Sequence, residues 1–163
     1  ETDFAVSNEA DIINLSLAGP ADALLERLLQ QALKRDITVV AAVGADPAHR
    51  FPAAVEGVIA VDQSERESRE QTHVQIMGNN ILSTSPGNEY DFFSGSSFST
   101  AQVSGLAALI RERKPHLSVE TMKTLLATDS MRYRGETEAG KSPLPNACHL
   151  LARLAGSECR ESE

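Results

Sequence analysis

Gly95-Ser96-Ser97-Phe98-Ser99-Thr100 leads directly into a largely apolar stretch, Ala101 to Ile110. A glycine with small hydroxyl residues makes a tight turn, and the apolar stretch reads as a helix that starts from it. Ser97 then stands at or near a helix N-terminus, where open N–H groups and the helix dipole favour developing negative charge. A serine nucleophile requires such surroundings, because the oxyanion formed when it attacks a carbonyl must meet fixed donors. The pentapeptide Gly95–Ser99 also reads as a plain helix cap. It nearly fits the G-x-S-x-G elbow of α/β-hydrolases, with Ser99 in place of the last glycine. That elbow requires an apolar strand running into it, and Pro86-Gly87-Asn88-Glu89-Tyr90-Asp91 reads instead as a polar turn.

A nucleophilic serine also requires a base within hydrogen-bond reach. The chain has four histidines: His49, His73, His116 and His149. His49 lies in a polar loop, His73 follows the charged run Ser64–Gln71, and His116 sits in a break at Pro115. His149 falls on a C-terminal helix. Each reads first as a surface or capping histidine, with His49 the candidate base among them. Cys148 and Cys159 are eleven residues apart with Gly156 between them. The reading favours two free thiols, with a tail disulfide as the alternative. No spacing of Cys, His, Asp or Glu suggests zinc or a calcium loop, so no metal or other cofactor is expected.

Alternating strands and helices must position these residues. Ile12–Leu15, Thr38–Ala42 and Val58–Val61 are short apolar runs expected to form parallel strands. Leu24, Leu25, Leu28, Leu29, Ala32 and Leu33 recur at helical spacing between the first two, which makes a βαβ unit. The helix after Ser97 is expected to be buried against the sheet and to end at Lys114-Pro115. Ser118 is a candidate N-cap for a further helix carrying Val119, Met122, Leu125 and Leu126. A last helix holds Ala147, Leu150, Leu151 and Leu154 and ends at Gly156. Ser64–Thr72 and Met131–Lys141 read as polar loops. One α/β domain over residues 1–156 is expected, followed by a charged tail at 157–163.

Several segments, in order, resemble the subtilisin-like serine proteases, the subtilases. Asp11–Pro20 resembles the strand whose end forms one wall of their substrate cleft, and Thr38–Gly44 the strand leading to their oxyanion loop. Phe51–Asp62 resembles the next strand, Ile81–Gly87 the hairpin region before the serine, and Phe93–Ile110 the serine motif itself. The resemblance covers most of Asp11 to about Leu126. It implies a subtilisin-like, largely parallel sheet flanked by helices, with Ser97 as the catalytic nucleophile. It also implies that Ser16, Leu17, Ala18 and Gly19 line the cleft for a polypeptide substrate or inhibitor.

The departures are as informative. Family members carry Pro then His where this chain has Ala101 and Gln102. Ala45 stands at the oxyanion-loop position, where the family has an asparagine side chain as donor. Losing one such donor typically costs about 2.7–4 kcal/mol of transition-state stabilisation. Neither the Asp motif nor the His motif of subtilases is found in Glu1–Ala10. The chain is therefore expected to represent the C-terminal half of the catalytic domain, with the N-terminal half of the fold absent and little activity alone. The alternative is a pseudoprotease, a protein-binding domain that keeps the cleft without the chemistry.

A formal net charge of −8 argues against nucleic acid as a partner, and no apolar run is long enough for a membrane helix. The expected partners are a polypeptide, the missing half, or a second copy of the chain. Family resemblance alone suggests an extracellular or periplasmic location.

Overall fold

Asp22 starts the first long helix: its Oδ1 accepts from Leu25 N at 2.8 Å, which satisfies a donor that a helix start leaves open. The computed structural model describes residues 2–63, 73–134 and 147–156. In chain order the elements are α1 (Thr2–Ser7), β1 (Ile12–Leu15), α2 (Ala23–Lys34), β2 (Thr38–Ala42), a 3-10 turn at Pro47–His49, and β3 (Ile59–Gln63). Then follow β4 (Val74–Ile76), β5 (Ile81–Ser85), β6 (Glu89–Phe93), α3 (Ser96–Arg113), α4 (Val119–Arg134) and α5 (Ala147–Ala155).

The strands β1-β2-β3-β4 form one parallel sheet in that order, with Ile13 opposite Val39, Val40 opposite Ile59, and Val61 opposite Val74. Every residue of β2 is buried, as a parallel strand covered on both faces requires. Alternation along the strands divides the core. Val39, Ala41 and Ala60 face Leu29 and Ala32 of α2 and Val6 of α1. Val40, Ile59 and Val61 face Val103, Ala107 and Ile110 of α3, with Met122, Leu126 and Leu150 from α4 and α5. The result is a helix–sheet–helix sandwich, the α/β architecture expected from the sequence.

Several expectations need correction. The third strand runs two residues further than Val58–Val61, to Gln63, and β4 was not anticipated. Helix α3 is buried on one face only: Val103, Leu106, Ala107 and Ile110 face inward while Ala101, Gly105, Ala108 and Leu109 are exposed. Helix α4 extends to Arg134, so the polar stretch after Met131 begins as helix. Residues 64–72, 135–146 and 157–163 lie outside the described residues, which leaves out the charged run, the rest of the second loop and the tail. Cys148 is disulfide-bonded, against the free-thiol reading.

The stretch before the serine is a hairpin rather than a turn alone. β5 and β6 pair antiparallel from Ile81–Phe93 to Ser85–Glu89, and Gly87 and Asn88 take the positive φ values of the turn, 91° and 64°. Glu89–Asp91 is thus strand, but an exposed one: Leu82, Tyr90 and Phe92 keep 59–72% of their surface in water. It lies outside the parallel sheet, unlike the core strand that feeds an α/β-hydrolase elbow.

The opposite end of α3 is held by Arg111, whose side chain is only 10% exposed. Its guanidinium donates to Thr38 Oγ1, Asp36 O, Asp36 Oδ2, Pro115 O and Leu117 O at 2.8–3.2 Å. One side chain therefore joins α3 to the start of β2 and to the α3–α4 connection.

Candidate active site

Ser97 occupies the second position of α3, half-buried, just past the β5–β6 hairpin. Its Oγ donates to Ser16 O at 3.1 Å, and Ser16 Oγ donates back to Ser97 O at 3.0 Å. This reciprocal pair bridges 81 residues of sequence and fixes the serine against the end of β1. Asn14 Nδ2 donates to Ser16 Oγ at 3.0 Å. Ser104 Oγ, one helix face further along α3, lies 2.8 Å from Asn14 Oδ1 and 2.9 Å from Thr100 O, and its single proton serves one of them at a time.

The predicted cleft wall follows immediately. Ser16, Leu17 and Ala18 are exposed and Gly19 is half-buried. Gly19 N donates to Phe51 O at 2.9 Å, which ties this wall to the segment beyond the oxyanion loop. Gly44 seals the same junction, since a Cβ there would strike His49 O and come within 3.0 Å of Ala18 Cβ. Ser16–Gly19 is thus in contact with Ser97 on one side and with the Ala45 loop on the other. Ala45 is exposed and supplies no side-chain donor.

Among the described side chains the histidines do not complete the site, and that of His149 lies outside them. His49 Nδ1 lies 3.4 Å from Asp46 Oδ2, with both side chains at least half in water. Asp46 also accepts from Ala48 N at 2.9 Å, so this pair serves the 3-10 turn. His116 is exposed beyond α3, and His73 precedes β4. Among the described residues no histidine shares a hydrogen bond with Ser97, whose proton goes to a backbone carbonyl.

The serine turn is braced from the sheet. Ser99 is fully buried and its Oγ donates to Ile76 O at 3.0 Å. Gln102 Nε2 donates to Met77 O at 3.0 Å, so the residue in place of the family's histidine ties α3 to the end of β4. Phe98 stacks on Phe93 with ring centroids 5.5 Å apart, which joins the turn to the hairpin. Sequence reasoning missed Asn14, Ser99 and Ser104 as parts of the site. Their one signal was the placement of hydroxyl and amide residues at otherwise apolar strand and helix positions.

A parallel sheet flanked by helices, with a serine at the start of a helix packed on it, limits the families to consider. The model of the subtilase family matches residues 1–147. The chain belongs to the subtilase family. The subtilase segment is 32% identical over 155 residues to alkaline elastase YaB of Bacillus sp. (strain YaB), covering 88% of this chain and 41% of the elastase. It is 30% identical over 154 residues to subtilisin DY of Bacillus licheniformis, covering 85% of this chain and 56% of that subtilisin. The subtilase chain thus spans about half the length of these relatives.

Solved structures agree on the subtilisin-like fold. The self-cleaved protease domain of PatA superposes with a TM-score of 0.69 at 26% identity, over 96% of this chain and 66% of that one. Fervidolysin from Fervidobacterium pennivorans, described as a keratinolytic enzyme related to subtilisin, gives a TM-score of 0.69 at 22% identity. It is matched over 83% of this subtilase chain and 25% of its own length.

Proposed function

We propose that this chain supplies the nucleophile portion of a subtilase-type serine endopeptidase, with Ser97 attacking the peptide carbonyl and Ser16–Gly19 lining the substrate cleft. The observation that carries this reading is the reciprocal hydrogen-bond pair between Ser16 and Ser97, a serine in the first turn of a helix. Among the described side chains no base lies within hydrogen-bond reach of Ser97. With Ser97 donating to a carbonyl rather than a histidine, its oxygen is a weak nucleophile. The Asp and His of the family reaction would come from outside these residues. The chain spans 41% and 56% of the two relatives above, which leaves room for such a contribution.

The chain alone is expected to react slowly with a fluorophosphonate probe and to hydrolyse peptides at no protease-like rate. Rapid, stoichiometric labelling mapped to Ser97 would show that a base is present after all, and His49→Ala would identify or eliminate the first candidate. A pseudoprotease is the second reading. Ala45 favours it, because this absent donor lies inside the chain and no added segment restores that side chain.

The expected partner beside a polypeptide substrate is a further strand. Strand β1 is an edge, paired on one side with β2 among the described residues. Its apolar side chains are covered: Ile13 and Leu15 are buried and Ile12 is half-buried. The exposed feature is therefore the outer row of backbone N–H and C=O groups, and neither Pro nor Lys lies within β1 to block pairing. Light scattering over a concentration series is expected to show self-association of the chain alone. A stable monomer at high concentration with slowly exchanging Ile12–Leu15 amides would overturn this. An extracytoplasmic location is the matching proposal, because the Cys148 disulfide suits an oxidising compartment. Among the described residues no helix is long and apolar enough to cross a membrane.

A further inference from the structure

Helix α3 begins without a cap of its own. Its N-cap residue is Gly95, and no side chain in the local sequence accepts from its first N–H groups. The starts of α2 and α4 solve this problem with a local side chain. Asp22 caps α2 from within the chain, and on α4 Ser118 Oγ accepts from Thr121 N at 3.2 Å. For α3 the acceptor comes from the sheet. Gln63, the last residue of β3, directs its side-chain amide at the serine turn. Only the amide oxygen can meet two N–H donors, so Oε1 accepts from Gly95 N at 2.9 Å and from Ser96 N at 3.1 Å.

We propose that Gln63 is a positioning residue for Ser97, a helix cap delivered from a core strand; this rests on the reading of Ser97 as the nucleophile. One oxygen holding two consecutive N–H groups fixes two peptide planes, and those planes set the direction of the Ser97 N–H and Oγ that follow. Gly95 N has a second acceptor in Gly78 O at 2.8 Å, so Ser96 N is the group that depends on Gln63. Gln63 does not use the Ser97 N–H, which is left for an oxyanion. The brace is rigid because β3 is a central strand, paired on both sides, and sites held by sheet residues keep tighter geometry than sites held by loops. With Ala45 offering no side-chain donor, the direction of that one backbone N–H carries more of the burden.

The test compares the chain with Gln63→Met, which keeps length without the acceptor, and Gln63→Glu, which keeps an acceptor oxygen. Gln63→Leu serves in place of Gln63→Met if the latter disturbs the sheet. Amide exchange at Ser96 is expected to accelerate about tenfold in Gln63→Met, the worth of one net hydrogen bond. Exchange at Val39–Ala41 in β2 should not change, and Gln63→Glu should restore protection at Ser96. Fluorophosphonate labelling of Ser97, slow as it is in the chain alone, is expected to fall about tenfold in its bond-forming step with probe affinity unchanged. Unchanged Ser96 exchange in Gln63→Met would overturn the cap. Faster Ser96 exchange with equal labelling in all three proteins would leave the cap and overturn the positioning role. Exchange behaving as expected with no labelling of Ser97 in any protein would remove the nucleophile reading, and the positioning role with it, while the cap stands.

Discussion

Arg111→Met is expected to lower the unfolding free energy by about 3 kcal/mol, the upper end for leaving acceptors without their charged hydrogen-bond donor. Methionine keeps the length and apolar stem of the side chain, so the loss reports the guanidinium rather than packing. Removing it leaves the Thr38 hydroxyl and the carbonyls of Asp36, Pro115 and Leu117 without their shared donor. Its salt bridge to Asp36 is a small part of the effect, because that carboxylate is 64% exposed and screened. Arg111→Lys should recover only a fraction, since an ammonium offers three donors from one point and cannot span acceptors on both sides of the helix end. Chemical denaturation of the three proteins tests this. A loss below about 1 kcal/mol for Arg111→Met would mean that water replaces the guanidinium at little cost.

Gly78→Ala is expected to be damaging in a different way, by overpacking. A Cβ at this position would collide with Ser99 Oγ, stand 2.7 Å from Gly95 O, and lie 3.3 Å from Gln63 Cγ. Two of these neighbours belong to the serine turn, and Gly95 O is backbone that cannot rotate away. Relief therefore requires the start of α3 to move off the sheet, against the Ser99–Ile76 hydrogen bond. The expected loss is about 3 kcal/mol of stability, at the upper end for one inserted methyl group. Labelling of Ser97 should fall by up to about a hundredfold, the effect of misplacing a reacting group by about 1 Å. Gly19→Ala, which meets nothing within 4 Å, is the control for a glycine where space is open. Equal stability of Gly78→Ala and Gly19→Ala would show that the turn adjusts freely.

The parts of the fold that were legible are those where burial imposes a simple pattern. Thr38–Ala42 is largely apolar because both faces of the parallel sheet are covered there, and α2 shows one apolar stripe because only one side packs. Strand β6 was misread because Tyr90 and Phe92 stay in water, so no buried face imposes alternation on it. Strand β4 is only three residues long, and its neighbour β3 supplies the pairing that makes it a strand. In the candidate site, Ser97 was singled out by its turn and Ser16–Gly19 by the family resemblance, and the Ser97–Ser16 hydrogen bonds bring the two segments together. Gln63 could not be singled out, because it acts on partners dozens of residues away, and Asn14 and Ser104 left only a polar residue at an otherwise apolar position as a signal. The disulfide at Cys148 was only the alternative reading for a related reason: sequence spacing does not show whether two thiols reach bonding geometry.

The Ser97–Ser16 and Ser104–Asn14 contacts close loops of 81 and 90 residues. By contrast β1, α2 and β2 are sequence neighbours that can form their contacts with short closures, which is the quicker route in folding. Ser97, the proposed nucleophile, is therefore set by contacts of long sequence separation, and any opening that lifts α3 off β1 dissolves the candidate site while the βαβ unit persists. Reactivity at Ser97 then becomes a thermometer for the docking of α3. Measured along a denaturant series, its decline ahead of the loss of helical signal would resolve undocking from global unfolding, with no reporter group added to the chain.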